Sequence, residues 1–80
     1  MHYAYLLQSE AYPDQRYVGL TSDLKRRLAD HNSQNSLHTS KYAPWKLKTY
    51  VAFSNREQAV EFEQYLKSGS GHAFAKKRLW

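Results

Sequence analysis

No cysteine occurs anywhere in the 80-residue chain. Disulfide staples, thiolate metal sites and cysteine nucleophiles are therefore excluded, and nothing in the composition points to an oxidising compartment. Glycine is scarce, at Gly19, Gly69 and Gly71 only. None of the three falls in a Walker or dinucleotide pattern, which removes nucleotide hydrolysis from consideration. The histidines, His2, His31, His38 and His72, are too scattered for a spacing-defined zinc motif, and no H-E-x-x-H occurs. No apolar run approaches the length of a membrane span, and Met1 to Tyr5 is not a cationic segment followed by a long apolar one. A cytoplasmic location with no membrane partner is the expectation.

What the chain does have is aromatic residues and positive charge. A chain this short buries only about 60% of its unfolded surface, so residues 1–80 are expected to form one domain around one core. Seven Tyr, three Phe and two Trp supply large buried areas per residue, and several carry a polar tip that needs a partner. Twelve Lys and Arg against seven Asp and Glu give a formal net charge of +5. That balance favours polyanions without naming one, and ordinary solubility explains it equally well.

His2-Tyr3-Ala4-Tyr5-Leu6-Leu7 reads as a strand, Ser9 to Gln15 as a turn holding Pro13 and Asp14, and Arg16-Tyr17-Val18-Gly19 as a second strand. The two pair as an antiparallel hairpin across a loop of roughly five to seven residues. With that loop centred near Ala11, Tyr5 and Tyr17 fall opposite each other on one face. Thr21 or Ser22 caps a helix from Asp23 to about Asn32, with the acid of Asp23 in its first turn. Asn32 to Ser40 is a polar loop, and Pro44 introduces a third strand, Trp45 to Phe53. Ser54 or Asn55 caps a second helix, Arg56 to Lys67, with Ala59, Phe62 and Leu66 at helical spacing. Ser68-Gly69-Ser70-Gly71 stops it. The closing segment, His72 to Trp80, is expected to be helical, with Phe74, Leu79 and Trp80 packing back and Lys76, Lys77 and Arg78 exposed.

Two polar residues interrupt apolar rows. On the first helix Leu24 and Leu28 define the buried stripe, and Arg27 and His31 share the adjoining row at i and i+4. A guanidinium there is paired, points into a cleft, or snorkels to water over Leu24. On the second helix Glu63 sits among Ala59, Phe62 and Leu66, where a carboxylate calls for a cation. Arg27 in a structural ion pair and a hard divalent metal with water completing its shell both satisfy that demand.

Tyr3-Ala4-Tyr5, Tyr17-Val18-Gly19, Arg27 and His31 on one helix and Glu63 on a later one together resemble the GIY-YIG nuclease family, over nearly the whole chain. The resemblance is to small stand-alone bacterial members, akin to the amino-terminal nuclease domain of bacterial excinuclease. "HTSKYAPWKL" and "FEQYLKSGSG" are similar to the connecting and closing segments of one such branch. Tyr3 stands where the family name has glycine, and Leu20 follows the second motif where some members carry a lysine. The resemblance implies an α+β fold, a three-stranded antiparallel sheet flanked by helices in the order β-β-α-β-α-α. It also implies an endonuclease that hydrolyses DNA phosphodiester bonds with a divalent cation, magnesium or manganese, in a DNA-repair setting. DNA is then the principal partner, with a homodimer or a partner protein supporting a stand-alone domain.

Residue by residue, the resemblance makes Tyr5 and Tyr17 the groups that position or deprotonate the attacking water. It makes Arg27 the contact to the scissile phosphate, His31 the assistant to the tyrosine or the phosphate, and Glu63 the metal-binding carboxylate. Phosphodiester hydrolysis needs a positioned water, a charge clamp and a Lewis acid, and these side chains supply all three. A tyrosine ordinarily titrates near pH 10, so its use as a base requires nearby cations. His38 either reaches this site or is a solvated loop residue, and Ser70, Gly71 and His72 lie where larger members place an asparagine. The alternative is a basic nucleic-acid-binding or protein-interaction module on the same fold without turnover.

Overall fold

The computed structural model describes residues 1–33 and 38–80. Its elements run β1 (His2–Ser9), β2 (Arg16–Thr21), α1 (Leu24–His31), a short 3-10 turn (Ser40–Tyr42), β3 (Trp45–Phe53), α2 (Arg56–Leu66) and α3 (Gly69–Arg78). The sheet is antiparallel with order β2-β1-β3, as the resemblance implies. Because β1 is central and covered on both faces, Ala4, Tyr5, Leu6 and Leu7 are all buried instead of alternating. Odd positions face α1: Tyr5, Leu7 and Trp45 form a cluster with Tyr17, Leu24, Leu28 and Leu47. Even positions face α2 and α3, where Leu6 packs with Leu66, Ala75, Val18, Phe62, Leu79 and Trp80.

The hairpin register differs from the expected one. Tyr5 pairs with Gly19, and Tyr17 pairs with Leu7. The connection closes by a hydrogen bond from Ser9 N–H to the Gln15 carbonyl at 3.0 Å, and Ser9 Oγ accepts from Tyr12 N–H at 3.0 Å. These contacts centre the loop on Tyr12, not Ala11. A shift of two residues keeps both tyrosines on the same face, since only a one-residue slip reverses a strand.

Helix caps explain the other boundary differences. The side chain capping α1 is that of Asp23, which accepts from Arg26 N–H at 3.1 Å, while Thr21 Oγ1 accepts from Asp23 N–H. Asn55 caps α2 through Gln58 N–H. Ser68 caps α3, so the Ser-Gly stretch begins a helix as well as ending one. Gly71 is needed there: a Cβ on it would run into the backbone of Tyr65 and Leu66, so glycine permits the close crossing of α2 and α3. Leu79 and Trp80 pack back as expected, whereas Phe74 is 38% exposed, at the edge of an aromatic group with Phe62 and Tyr65. Of the polar loop over Asn32 to Ser40, residues 34–37 lie outside the described residues.

Candidate active site

The stripe on α1 is not the expected one. Leu24 and Leu28 are half-buried, and the buried residue of that helix is His31, with no exposed surface. A fully buried imidazole must have partners for both nitrogens. His31 Nε2 lies 2.9 Å from the Tyr5 hydroxyl, and Nδ1 lies 2.7 Å from Thr39 Oγ1. Thr39 is itself held in place, its carbonyl accepting from Trp45 Nε1–H at 2.7 Å. On the other side of Tyr5, Arg27 Nε–H donates to the phenol oxygen at 3.2 Å. Tyr17 closes the group, its ring centre 4.6 Å from His31 and 6.1 Å from Tyr5.

Protonation follows from burial and charge. Burial pushes the Tyr5 phenol up to about 12, although the Arg27 hydrogen bond opposes the rise. Burial, reinforced by the Arg27 cation and opposed by Asp30, holds His31 below its ordinary value. Arg27 is kept still more firmly protonated, first by its hydrogen bond to Tyr5. At neutral pH Tyr5 is therefore a phenol and His31 a neutral imidazole. That assignment sets the direction of the chain: Arg27 donates to Tyr5, Tyr5 O–H donates to His31 Nε2, and His31 Nδ1–H donates to Thr39.

Gly19 makes this geometry possible. A Cβ at position 19 would overlap the Tyr5 hydroxyl and stand 2.8 Å from Cε2 of Tyr17, so only a residue without a side chain lets the phenol lie over β2. Burial also divides the group into layers. Tyr5 and His31 lie inside, while Tyr17 and Arg27 are half-open to solvent. Beside Arg27 a cleft of about 280 Å³ is lined by Thr21, Ser22, Asp23, Arg26 and Asp30.

Four of the five residues singled out in the sequence, Tyr5, Tyr17, Arg27 and His31, are thus brought together. Glu63 stands on α2, whose Phe62 and Leu66 pack on the opposite face of the sheet, and no hydrogen bond or ion pair among the described residues joins it to the tyrosines. Nor does it pair with Arg27, whose nearest carboxylate is Asp30 at a loose 3.8 Å. Glu63 Oε2 instead lies 2.7 Å from Lys67 Nζ, one turn along α2. The Glu63 side chain is 16% exposed and that of Lys67 54%, so the ammonium is the partner free to swing away. Among the described residues no group of three or more His, Asp or Glu side chains could enclose a metal. The donor set is one carboxylate, which suits a hard cation that keeps most of its waters.

His38 is exposed at the turn before the 3-10 segment, and His72 is exposed on α3. Among the described residues, neither is hydrogen-bonded to the tyrosine cluster. Two residues of the site are not apparent from the sequence. Thr39 carries no local signal, because only the fold brings it to His31. Gly19 is visible as part of Tyr17-Val18-Gly19, but the paired register is what reveals the clash it avoids.

A profile of the GIY-YIG catalytic domain matches residues 1–77. A UPF0213 protein of Streptococcus pneumoniae serotype 4 is 37% identical over 67 residues, covering 82% of this chain and 68% of that protein. One from Lactococcus lactis subsp. cremoris is 40% identical over 68 residues, covering 82% of this chain and 66% of that protein. A structure-specific endonuclease subunit SLX1 homolog of Giardia intestinalis is 32% identical over 65 residues, covering 76% of this chain and 18% of that protein. The chain thus spans about two thirds of the small bacterial relatives and a minor part of the SLX1 homolog.

Proposed function

The chain belongs to the GIY-YIG catalytic-domain family, and from that premise we propose that it is a metal-dependent endonuclease hydrolysing DNA phosphodiester bonds at the Tyr17–Arg27 surface. The observation that carries the reading is the hydrogen-bonded run from Arg27 through Tyr5 to His31, with Tyr17 packed on it. Such an arrangement holds a cation, a phenol and a neutral base in fixed order beside an open cleft.

The layers suggest distinct roles. Arg27 spends Nε–H on Tyr5 and keeps its terminal N–H groups for the non-bridging oxygens of a phosphate, where charge develops during attack. Tyr17, half-open to solvent, positions the attacking water. A phenol pushed up to about 12 is no resident base at neutral pH, so Tyr5 serves as a relay. As the water loses a proton to the Tyr17 oxygen, the Tyr17 proton passes to Tyr5 and that of Tyr5 to His31 Nε2, which is neutral and can accept it. Thr39 holds Nδ1 and so keeps Nε2 aimed at Tyr5. Glu63 would hold magnesium or manganese through its carboxylate once Lys67 swings aside, and the ion would supply Lewis-acid polarisation of the phosphate.

The formal charge of +5 adds sequence-independent attraction to the DNA backbone. By analogy with the structure-specific endonuclease SLX1, branched DNA is the substrate class and a partner protein completes the enzyme. The test is incubation of wild type and Glu63→Ala with supercoiled, branched and single-stranded DNA, with and without magnesium or manganese. Wild type should cleave only with the cation, and the variant should bind DNA and fail to cleave. Cleavage by Glu63→Ala at the wild-type rate would reject the metal assignment. DNA binding by wild type that ignores magnesium and never leads to cleavage would favour a non-catalytic module.

A further inference from the structure

Across β2 from the tyrosine cluster lies a second cavity, of about 280 Å³, lined by Arg16, Val18, Leu66, His72, Lys76 and Trp80 among others. Among the described residues, no acidic side chain lines it. We propose that this cavity receives one unpaired nucleotide of the DNA strand bound at the Tyr17–Arg27 surface, its base stacked on Trp80 and its phosphate held by Arg16 and Lys76. The proposal rests on the DNA reading above and adds to it a site for a single-stranded branch.

Three features carry the inference. The floor is apolar, with Leu66 buried and Val18 half-buried, and the rim is cationic, which is the combination that a flat base on a charged backbone requires. The Arg16 guanidinium lies 4.8 Å above the Trp80 ring, so two flat groups already face each other at the cavity. A base can slide between them or replace the guanidinium on the indole, leaving the arginine for the phosphate. Finally, β2 is an edge strand, and Arg16 and Val18 flank Tyr17 along it. One residue's alternation therefore separates the two sites, and a strand crossing that edge meets both.

The experiment compares the affinity of the whole chain for a labelled, fully paired DNA duplex and for the same duplex with an unpaired flap, using fluorescence anisotropy at fixed salt. Wild type should prefer the flapped DNA, and Trp80→Leu should reduce that preference about tenfold, the effect of one lost stacking contact. Trp80→Phe, which keeps a stacking plane, should restore most of it. Trp80 also packs against the Leu6 cluster. The double variant Arg16→Gln/Lys76→Gln, confined to exposed side chains, is therefore a separate test and should lower the flapped-to-paired ratio with folding intact. An unchanged ratio in the folded variants, with duplex binding preserved, overturns the nucleotide cavity alone. Failure of the wild type to bind any DNA overturns the cavity's role and the nuclease reading together.

Discussion

Replacing Gly19 by alanine puts a methyl group where the Tyr5 hydroxyl now lies, 2.5 Å from Cζ of Tyr5 and 2.8 Å from Cε2 of Tyr17. Gly19 has no positive φ, so alanine meets no backbone strain and the whole penalty is steric. Tyr5 is 2% exposed and cannot swing out. Overpacking of this kind costs about 1–3 kcal/mol. Displacing the phenol also weakens its bonds to Arg27 and His31, each contributing about 1 kcal/mol net. Against this stands a gain of about 0.4–1 kcal/mol from a stiffer unfolded chain. The expected net loss is about 2–4 kcal/mol in urea unfolding. Tyr5→Phe alone should cost about 1–2 kcal/mol by leaving His31 Nε2 without its donor. Because the two changes share one clash and one set of bonds, the double variant should be less destabilised than their sum by about 1 kcal/mol or more. A neutral Gly19→Ala, or strict additivity in the cycle, would refute the reasoning.

The other expectations concern pH and the second close crossing. His31 is held below its ordinary value, so the unfolded chain takes up its proton first: stability should fall as pH drops below about 6.5 toward the folded value. That acid limb should flatten in His31→Gln, as measured by urea unfolding across pH 4 to 8. Tyr5 works in the opposite direction, because its phenol is pushed up to about 12 from an unfolded value near 10. Stability should therefore decline as pH rises through 10 and on to 12, by about 1 kcal/mol between pH 9 and 11 beyond the decline seen in Tyr5→Phe. Gly71→Ala should lower the unfolding temperature sharply, since its Cβ meets backbone atoms of Tyr65 and Leu66 that cannot yield cheaply. Gly69→Ala, with nothing near its Cβ, should be neutral or stabilising by up to about 1 kcal/mol in the same melt.

The extents of β3 and α2 follow from alternation and helical spacing that the sequence displays openly, in Trp45 to Phe53 and in Ala59, Phe62 and Leu66. The hairpin register does not, because it depends on how Ser9 and Gln15 close the loop, a choice that alternation leaves open by steps of two. Charge preference puts Asp23 in the first turn of α1 when it is the cap, and the Ser68 cap is hidden by two glycines that usually signal a stop. At the site, the i and i+4 relation of Arg27 and His31 is legible, but their order of burial is not. Periodicity alone gives the interior to leucine, and the fold gives it to a histidine with two partners. Thr39 and the cavity at Trp80 depend on segments far apart in the chain, so no local pattern announces either.

A single-turnover cleavage rate for Arg27→Ala beside wild type, with saturating DNA and magnesium and with folding verified, bears most directly on the tyrosine–arginine cluster as the hydrolytic centre. The variant should bind DNA and cleave it about 10²- to 10³-fold more slowly, the effect of removing one charge clamp from a developing transition state. A folded Arg27→Ala that cleaves at the wild-type rate would contradict that assignment.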